Sequence, residues 1–263
     1  MLTRMSQSPA GPALLRWYVE MGADEAIGAA PVDRLNQTPR PAPMPVTPPR
    51  FAAPSLPIMT NPPAAVGAST PSAPDLAALE ATVRAFDGCG LRRTATNTVF
   101  ADGVPGAPLM IIGEAPGADE DRIGLPFVGR SGQLLDRMLA AVGLSRKTNV
   151  YITNVLFWRP PGNRKPTTEE IASCLPFVRS HIALARPKIL LLAGGTAAGT
   201  LLGRTEGIMR LRGRWCDLAI PGLDRPVTTI ASYHPSFLLR TPGRKNEAWR
   251  DLLAIEAKMR EAE

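Results

Sequence analysis

From residue 75 onward the apolar residues switch between two periods. Leu76, Leu79, Val83 and Phe86 fall on one helical face, with Asp75 placed ahead of them as an N-cap. Residues 108–112 form a short apolar run that stops at Gly113, which reads as a strand. Residues 132–142 return to helical spacing, with Leu134, Leu135, Met138, Leu139 and Val142 inward, Ser131 at the start and Gly143 at the end. A second strand is predicted over 149–155. Thr167 and Glu170 have capping-box spacing before a helix carrying Ile171, Leu175, Val178 and Ile182, which Pro187 ends. His181 is expected on the exposed, polar side of that helix. A third strand (188–193), a helix (195–202), a fourth strand (227–231) and a closing helix (249–259) complete the series. Such alternation implies an α/β fold: a parallel sheet with helices on both faces, and ligands at the carboxyl ends of the strands.

The first part of the chain lacks this pattern. Leu14, Leu15, Tyr18 and Met21 suggest a short helical segment within residues 1–37, broken by Gly22 and Gly28 and ended by Pro31. Residues 38–74 hold 12 prolines in 37 positions and read as an extended, disordered Pro/Ala-rich linker. The expected organisation is therefore 1–37, 38–74, and a catalytic domain over 75–263. The longest apolar runs are about five residues, far short of the ~20 needed to span a membrane. Three cysteines among 263 residues make no disulfide framework, and the start shows no unbroken apolar signal region, so a cytoplasmic protein is expected.

Charge sharpens the picture. The net charge is +7, yet residues 1–75 are neutral, with five arginines against five acids. The excess lies in the folded part and suggests a polyanionic partner, nucleic acid first; ordinary solubility charge is the alternative.

Three segments at predicted strand ends carry candidate chemistry. In GEAPGADEDRIGLPFVGRSGQ (113–133), Glu114 emerges where a carboxylate can activate water, and Phe127 can cover a planar ring. In YITNV, Asn154 offers the donors and acceptor that read a lactam edge. In ASYHPSFLLR, His234 can donate to a developing anion, with Ser236, Leu238, Leu239 and Arg240 beside it; Leu238 or Leu239 is a candidate wedge for a base stack. Arg159 and Arg164, Arg212, and Arg240 lie on three loops that can meet a phosphate backbone at one rim. Solvated loops, a turn asparagine and core anchors are the alternatives. Phosphate-loop, GxSxG and HExxH signatures are absent from the sequence.

Taken together, GEAPGADEDRIGLPFVGRSGQLLD, YITNVLFWRPPGNRKPT and YHPSFLLR resemble the family 4 uracil-DNA glycosylases over roughly residues 75–259. The resemblance implies a three-layer α/β/α fold around a four-stranded parallel sheet, and excision of uracil from DNA by flipping the nucleotide into a pocket. It further implies that Glu114 positions or activates water, with Asp121 as a weaker alternative. Phe127 would stack on uracil, Asn154 would read its edge, and His234 would bond its O2.

The family's [4Fe–4S] cluster has four cysteine ligands. The resemblance matches Cys89 and Cys174 to two of them and places Phe86 and Trp158 at the other two, so the cluster is expected to be lost and its volume filled by apolar packing. Two other functions remain open: a lesion-binding module without catalysis, and a glycosylase for another deaminated base such as hypoxanthine. Uracil-containing DNA is the expected partner of a monomer. Residues 1–35 either recruit a repair or replication protein or form a dispensable extension.

Overall fold

The structure, a computed structural model, describes residues 73–261. The expectations for 1–37 and for nearly all of 38–74 lie outside the described residues. Eight α-helices and six strands are present among those described.

Each predicted strand forms where a short apolar run is bounded by turn residues. β1 (Asp102–Gly103) and β2 (Leu109–Gly113) are followed by β3 (Val150–Asn154), β4 (Ile189–Ala193), β5 (Trp215–Leu218) and β6 (Val227–Ser232). They make one sheet in the order β1-β3-β2-β4-β6-β5. The inner four strands are parallel, with Ile111 opposite Ile152 and Leu191, and Leu191 opposite Ile230. β2, β3 and β4 are buried at every position, as expected of strands covered on both faces.

The sheet is thus wider than the four strands expected. β1 is only two residues long, too short for a periodic signal. β5 alternates between exposed and half-buried positions within a basic segment. Both pair antiparallel at the two edges.

Helices α1 (Leu76–Ala85), α4 (Thr168–Ala185) and α5 (Gly195–Leu202) cover one face of the sheet. Leu79, Val83, Val178, Ile182 and Ala198 meet Met110, Ile112, Leu190 and Leu192 there. Helices α3 (Arg130–Ala140) and α8 (Lys245–Glu261) cover the other, where Leu135, Leu139, Leu252 and Ile255 meet Ile111, Ile152, Leu191 and Ile230. This is the three-layer α/β/α arrangement. Short helices α2 (Ala118–Ile123), α6 (Ile208–Leu211) and α7 (Pro235–Arg240) belong to connections.

The predicted caps form at Asp75 and Thr167 but not at Ser131 or Gly143: α3 starts a residue before Ser131, with Gly129 as its N-cap, and its C-cap is Ala141. Asp75 Oδ1 accepts from the Ala78 N–H at 2.8 Å. Thr167 and Glu170 bond reciprocally at 3.2 and 2.9 Å. His181 corrects the sequence reading: it is fully buried beneath α4, stacks on Phe100 at 4.3 Å, and bonds the Tyr151 hydroxyl through Nε2 at 2.9 Å. Helical periodicity alone misassigns it, because the face of α4 that packs on β3 is wider than its aliphatic stripe.

Candidate active site

Three strand ends and the loops beyond them build one cleft of about 520 Å³ at the carboxyl edge of the sheet. β2 delivers Glu114, β3 delivers Asn154, and β6 delivers His234; all three line the cleft with Phe127. Gly113 pairs with Asn154 across the sheet. A Cβ on Gly113 would lie 2.4 Å from Asn154 Oδ1 and 2.6 Å from the Phe127 ring, so only glycine lets the amide and the aromatic ring converge there.

Asn154 is 1% exposed, and its Oδ1 has no hydrogen-bond partner in the protein. Buried acceptors are ordinarily satisfied, and an orphan costs ~1–3 kcal/mol. An unpartnered amide oxygen in a cleft wall has an acceptor to offer a ligand donor.

Phe127 is buried with φ of 54°, a left-handed conformation in which a bulky residue costs ~1–3 kcal/mol. Its ring lies 5.3 Å from that of His234. The loop around it is tied from within its own segment. The Glu120 carboxylate accepts from the N–H groups of Gly117 at 3.1 Å and of Val128 and Gly129 at 2.9 Å each.

His234 is the N-cap of α7. Its Nδ1 accepts from the Ser236 N–H at 3.1 Å and lies 2.8 Å from the Ser236 hydroxyl. With Nδ1 acting as acceptor, the proton of the neutral ring sits on Nε2. Burial, and secondarily the Arg240 guanidinium, push its pKa down to about 4, so the imidazole is neutral at pH 7 and remains a donor. Gly194, at φ of 103°, allows this loop to pass: a Cβ there would stand 3.0 Å from His234 Cβ. The Glu114 carboxylate accepts from the Thr196 hydroxyl in the first turn of α5, which fixes its direction at a helix N-terminus.

The rim agrees with the sequence reading only in part. Arg164, Ser236 and Arg240 line the cleft; Arg164 also pairs with Glu170 at 2.5 Å. Arg159 reaches the rim indirectly, bonding the side chain of the cleft residue Asn163 at 2.7 Å. Arg212 is a correction. It is largely buried, binds Asp251 and the Glu247 carbonyl, and lies under the Tyr233 ring at 5.3 Å. It holds the end of β6 to α8 rather than the rim. Leu238 is fully buried with Leu134 and Ala248, whereas Leu239 is 36% exposed, so only Leu239 is free to act as a wedge. Asp121 accepts from the Thr96 and Asn97 N–H groups at 2.8 and 3.1 Å and is absent from the cleft wall.

Comparison with known proteins places the chain in a family. The model of the uracil DNA glycosylase superfamily matches residues 100–253. The chain belongs to the uracil DNA glycosylase superfamily. Curated relatives include the type-4 uracil-DNA glycosylase of Pyrobaculum aerophilum, 37% identical over 68% of this chain and 91% of that protein. Those of Archaeoglobus fulgidus and Thermotoga maritima are 39% and 38% identical, over 64% and 65% of this chain and 84% and 85% of theirs.

For a member of this superfamily that resembles the cluster-bearing family 4, the cysteine region is the point of divergence. Cys89 and Cys174 are both buried and close enough for a hydrogen bond from Cys174 to pull the Cys89 thiol down and raise its own, burial adding to the rise. Around them are rings instead of thiols. Phe86 stacks on Trp158 at 6.4 Å and tilts against Phe177 at 4.7 Å. Trp158 is 1% exposed and donates its indole N–H to Thr98 Oγ1 at 3.1 Å. Two thiols beside packed aromatic side chains do not fit a four-thiolate cluster.

Thr196 and Glu120 escape the sequence reading. Thr196 sits in GGTAAG, which on its own is only a weak helix start, although a hydroxyl at a helix start beyond a strand's carboxyl end is itself a signal. Glu120 is one of three adjacent acids, and only its spacing from Gly117 marks it as a loop tie.

Proposed function

We propose that this protein removes uracil from DNA by hydrolysing the N-glycosidic bond of a nucleotide turned out into the cleft, leaving an abasic site. The observation that carries the reading is the buried, unpartnered Asn154 Oδ1 in a cleft covered by Phe127. Uracil N3–H is a donor to that oxygen, and uracil O4 accepts from the Asn154 amide N–H. Cytosine reverses both partners, leaving the amide oxygen facing an acceptor.

The remaining groups divide the reaction between them. Glu114, held by Thr196, orients a water and takes its proton as the oxygen attacks C1′. The C1′–N1 bond breaks, and its electron pair leaves with the base as the uracil anion. The His234 Nε2–H donates to uracil O2 as that charge develops, an interaction of the kind worth ~3 kcal/mol or more. Arg164 and Arg240 at the rim receive the phosphate backbone, and Leu239 fills the gap left in the stack. The same proposal covers a cytoplasmic monomer; for residues 1–35 a recruiting role and a dispensable extension are separated by deleting 1–74, where unchanged oligonucleotide activity with altered recruitment in cells would favour recruitment.

The test is uracil release from a uracil-containing oligonucleotide by the wild type and by Glu114→Ala, Asn154→Ala and His234→Ala. Release by wild type, reduced by about 10²–10³ in each folded variant, is expected. Folded protein that binds DNA but releases no uracil from single- or double-stranded substrate would overturn it and favour lesion binding or another base.

A further inference from the structure

Phe127 stands in a backbone conformation that a phenylalanine does not adopt unaided, and one side chain from outside its own loop reaches it. We propose that Arg146 is the positioning residue that holds Phe127 over the base. This rests on the reading of Phe127 as the ring that covers a flipped uracil.

Arg146 lies between α3 and β3, 19 residues from Phe127 in sequence. Its Nη2 donates to the Phe127 carbonyl at 2.7 Å, and its Nη1 donates to the preceding carbonyl, of Pro126, at 3.0 Å. Two adjacent carbonyls are thus held by one rigid fork across the residue with the positive φ. The guanidinium is fixed in turn. Nη1 bonds Asp102 in β1 at 2.7 Å, and Nε bonds Asp136 in α3 at 2.9 Å. Its side chain is only 13% exposed, so these contacts form away from bulk water. Gly132 leaves room for the Phe127 carbonyl: a Cβ there would stand 1.8 Å from the oxygen. The carbonyl is therefore given space by a glycine and drawn in by an arginine, and the ring is directed towards Gly113 and His234.

Arg146 is not among the cleft-lining residues, and neither are its two carboxylate partners, Asp102 and Asp136. It acts on the site through Phe127 alone. Lysine keeps the charge but has a single nitrogen, which cannot bridge both carbonyls and both carboxylates.

The experiment compares full-length wild type, Arg146→Lys, Phe127→Ala and the double variant, reading inhibition by free uracil and, separately, the unfolding midpoint. Arg146→Lys is expected to weaken inhibition by free uracil about tenfold, the range of one lost base–aromatic stack. In the Phe127→Ala background the same substitution is expected to change it by less than about twofold, a non-additivity that a purely structural role would not produce. Equal weakening in both backgrounds, or no weakening in a folded Arg146→Lys protein, overturns the proposal. If Arg146→Lys does not fold, Asp136→Asn, which removes only the exposed anchor of Nε, is expected to weaken inhibition about two- to threefold in the Phe127 background alone, and no change there overturns it. Wild type that neither releases nor is inhibited by uracil would instead refute the uracil reading on which the proposal rests.

Discussion

Both histidines of this chain are neutral in the folded state at pH 7, which makes acid a specific perturbation of stability. Burial pushes His181 down to about 3, and His234 stands at about 4. In the unfolded chain each returns to ~6.5. The sign comes from proton binding. Above pH ~6.5 neither state binds the proton and the stability contribution is complete. Below it the unfolded chain takes up protons that the folded chain refuses, so stability falls with pH until the folded values are reached. Each site removes ~1.4 kcal/mol per pH unit once the unfolded imidazole is fully protonated. Between pH 6 and pH 5 the two together should remove about 2 kcal/mol. The carboxylates held low by partners, Glu170 by Arg164 and Glu247 by Arg244 and Tyr233, act mainly further into acid. The assay is urea unfolding at about pH 7, 6, 5.5 and 5 for wild type and His181→Asn. The variant is less stable at neutral pH, having lost the stack on Phe100 and the Tyr151 bond, but its loss between pH 6 and pH 5 should be about half that of wild type. Equal slopes for the two proteins would refute the claim that His181 stays neutral in the fold.

Three further outcomes are expected. Thr196→Val should lower kcat about tenfold at unchanged affinity for uncleaved DNA, and Thr196→Ser should restore it, because only the hydroxyl reaches Glu114; oligonucleotide kinetics check this. Leu238→Ala should cost about 2–4 kcal/mol in denaturant unfolding, whereas Leu239→Ala should leave stability within about 0.5 kcal/mol and slow excision from duplex more than from single strands. Anaerobically purified protein should carry less than one iron per chain by colorimetric assay, and Trp158→Ala should destabilise it by about 3–5 kcal/mol through loss of a buried ring.

Much of the architecture is legible in the chain, for identifiable reasons. Three of the inner strands, β2, β4 and β6, lie beside glycine or proline, and the helices on the sheet carry clear apolar stripes with side-chain caps at Asp75 and Thr167. Glu114, Asn154 and His234 stand out because a parallel sheet gathers the residues at its carboxyl strand ends into one place. The features that escape depend on distant partners. His181 looks exposed until Phe100 and Tyr151 are brought beneath it. Arg212 looks like a phosphate ligand until Asp251, 39 residues later, closes on it. Leu238 and Leu239 are adjacent and alike in sequence, and only the docking of α7 against α3 and α8 separates the buried one from the exposed one. The edge strands β1 and β5 are too short or too exposed to register as periodic patterns.

The length of the first motif has a physical explanation in the same terms. A water-directing carboxylate requires only the residue after β2, yet the segment runs on to position 133 before the α3 face begins. The extra length encloses its own supports. Glu120 reaches forward to the N–H groups of Val128 and Gly129 and back to that of Gly117, closing the segment into a loop around a single carboxylate. Asp121, its neighbour, takes the N–H groups of Thr96 and Asn97 and ties the loop to the chain before β1. Gly132, at the far end, leaves space for the Phe127 carbonyl. A left-handed phenylalanine persists only where its surroundings over-determine it. Here the Glu120 carboxylate, Gly132 and Arg146 act on the loop's own backbone, and the Asp121 carboxylate anchors the loop to the N–H groups of Thr96 and Asn97. Shortening the segment between Gly117 and Gly129 would leave Glu114, Asn154 and His234 on their strand ends. It would instead release the constraint that sets the ring above Gly113, where the buried Asn154 amide oxygen has no partner in the protein.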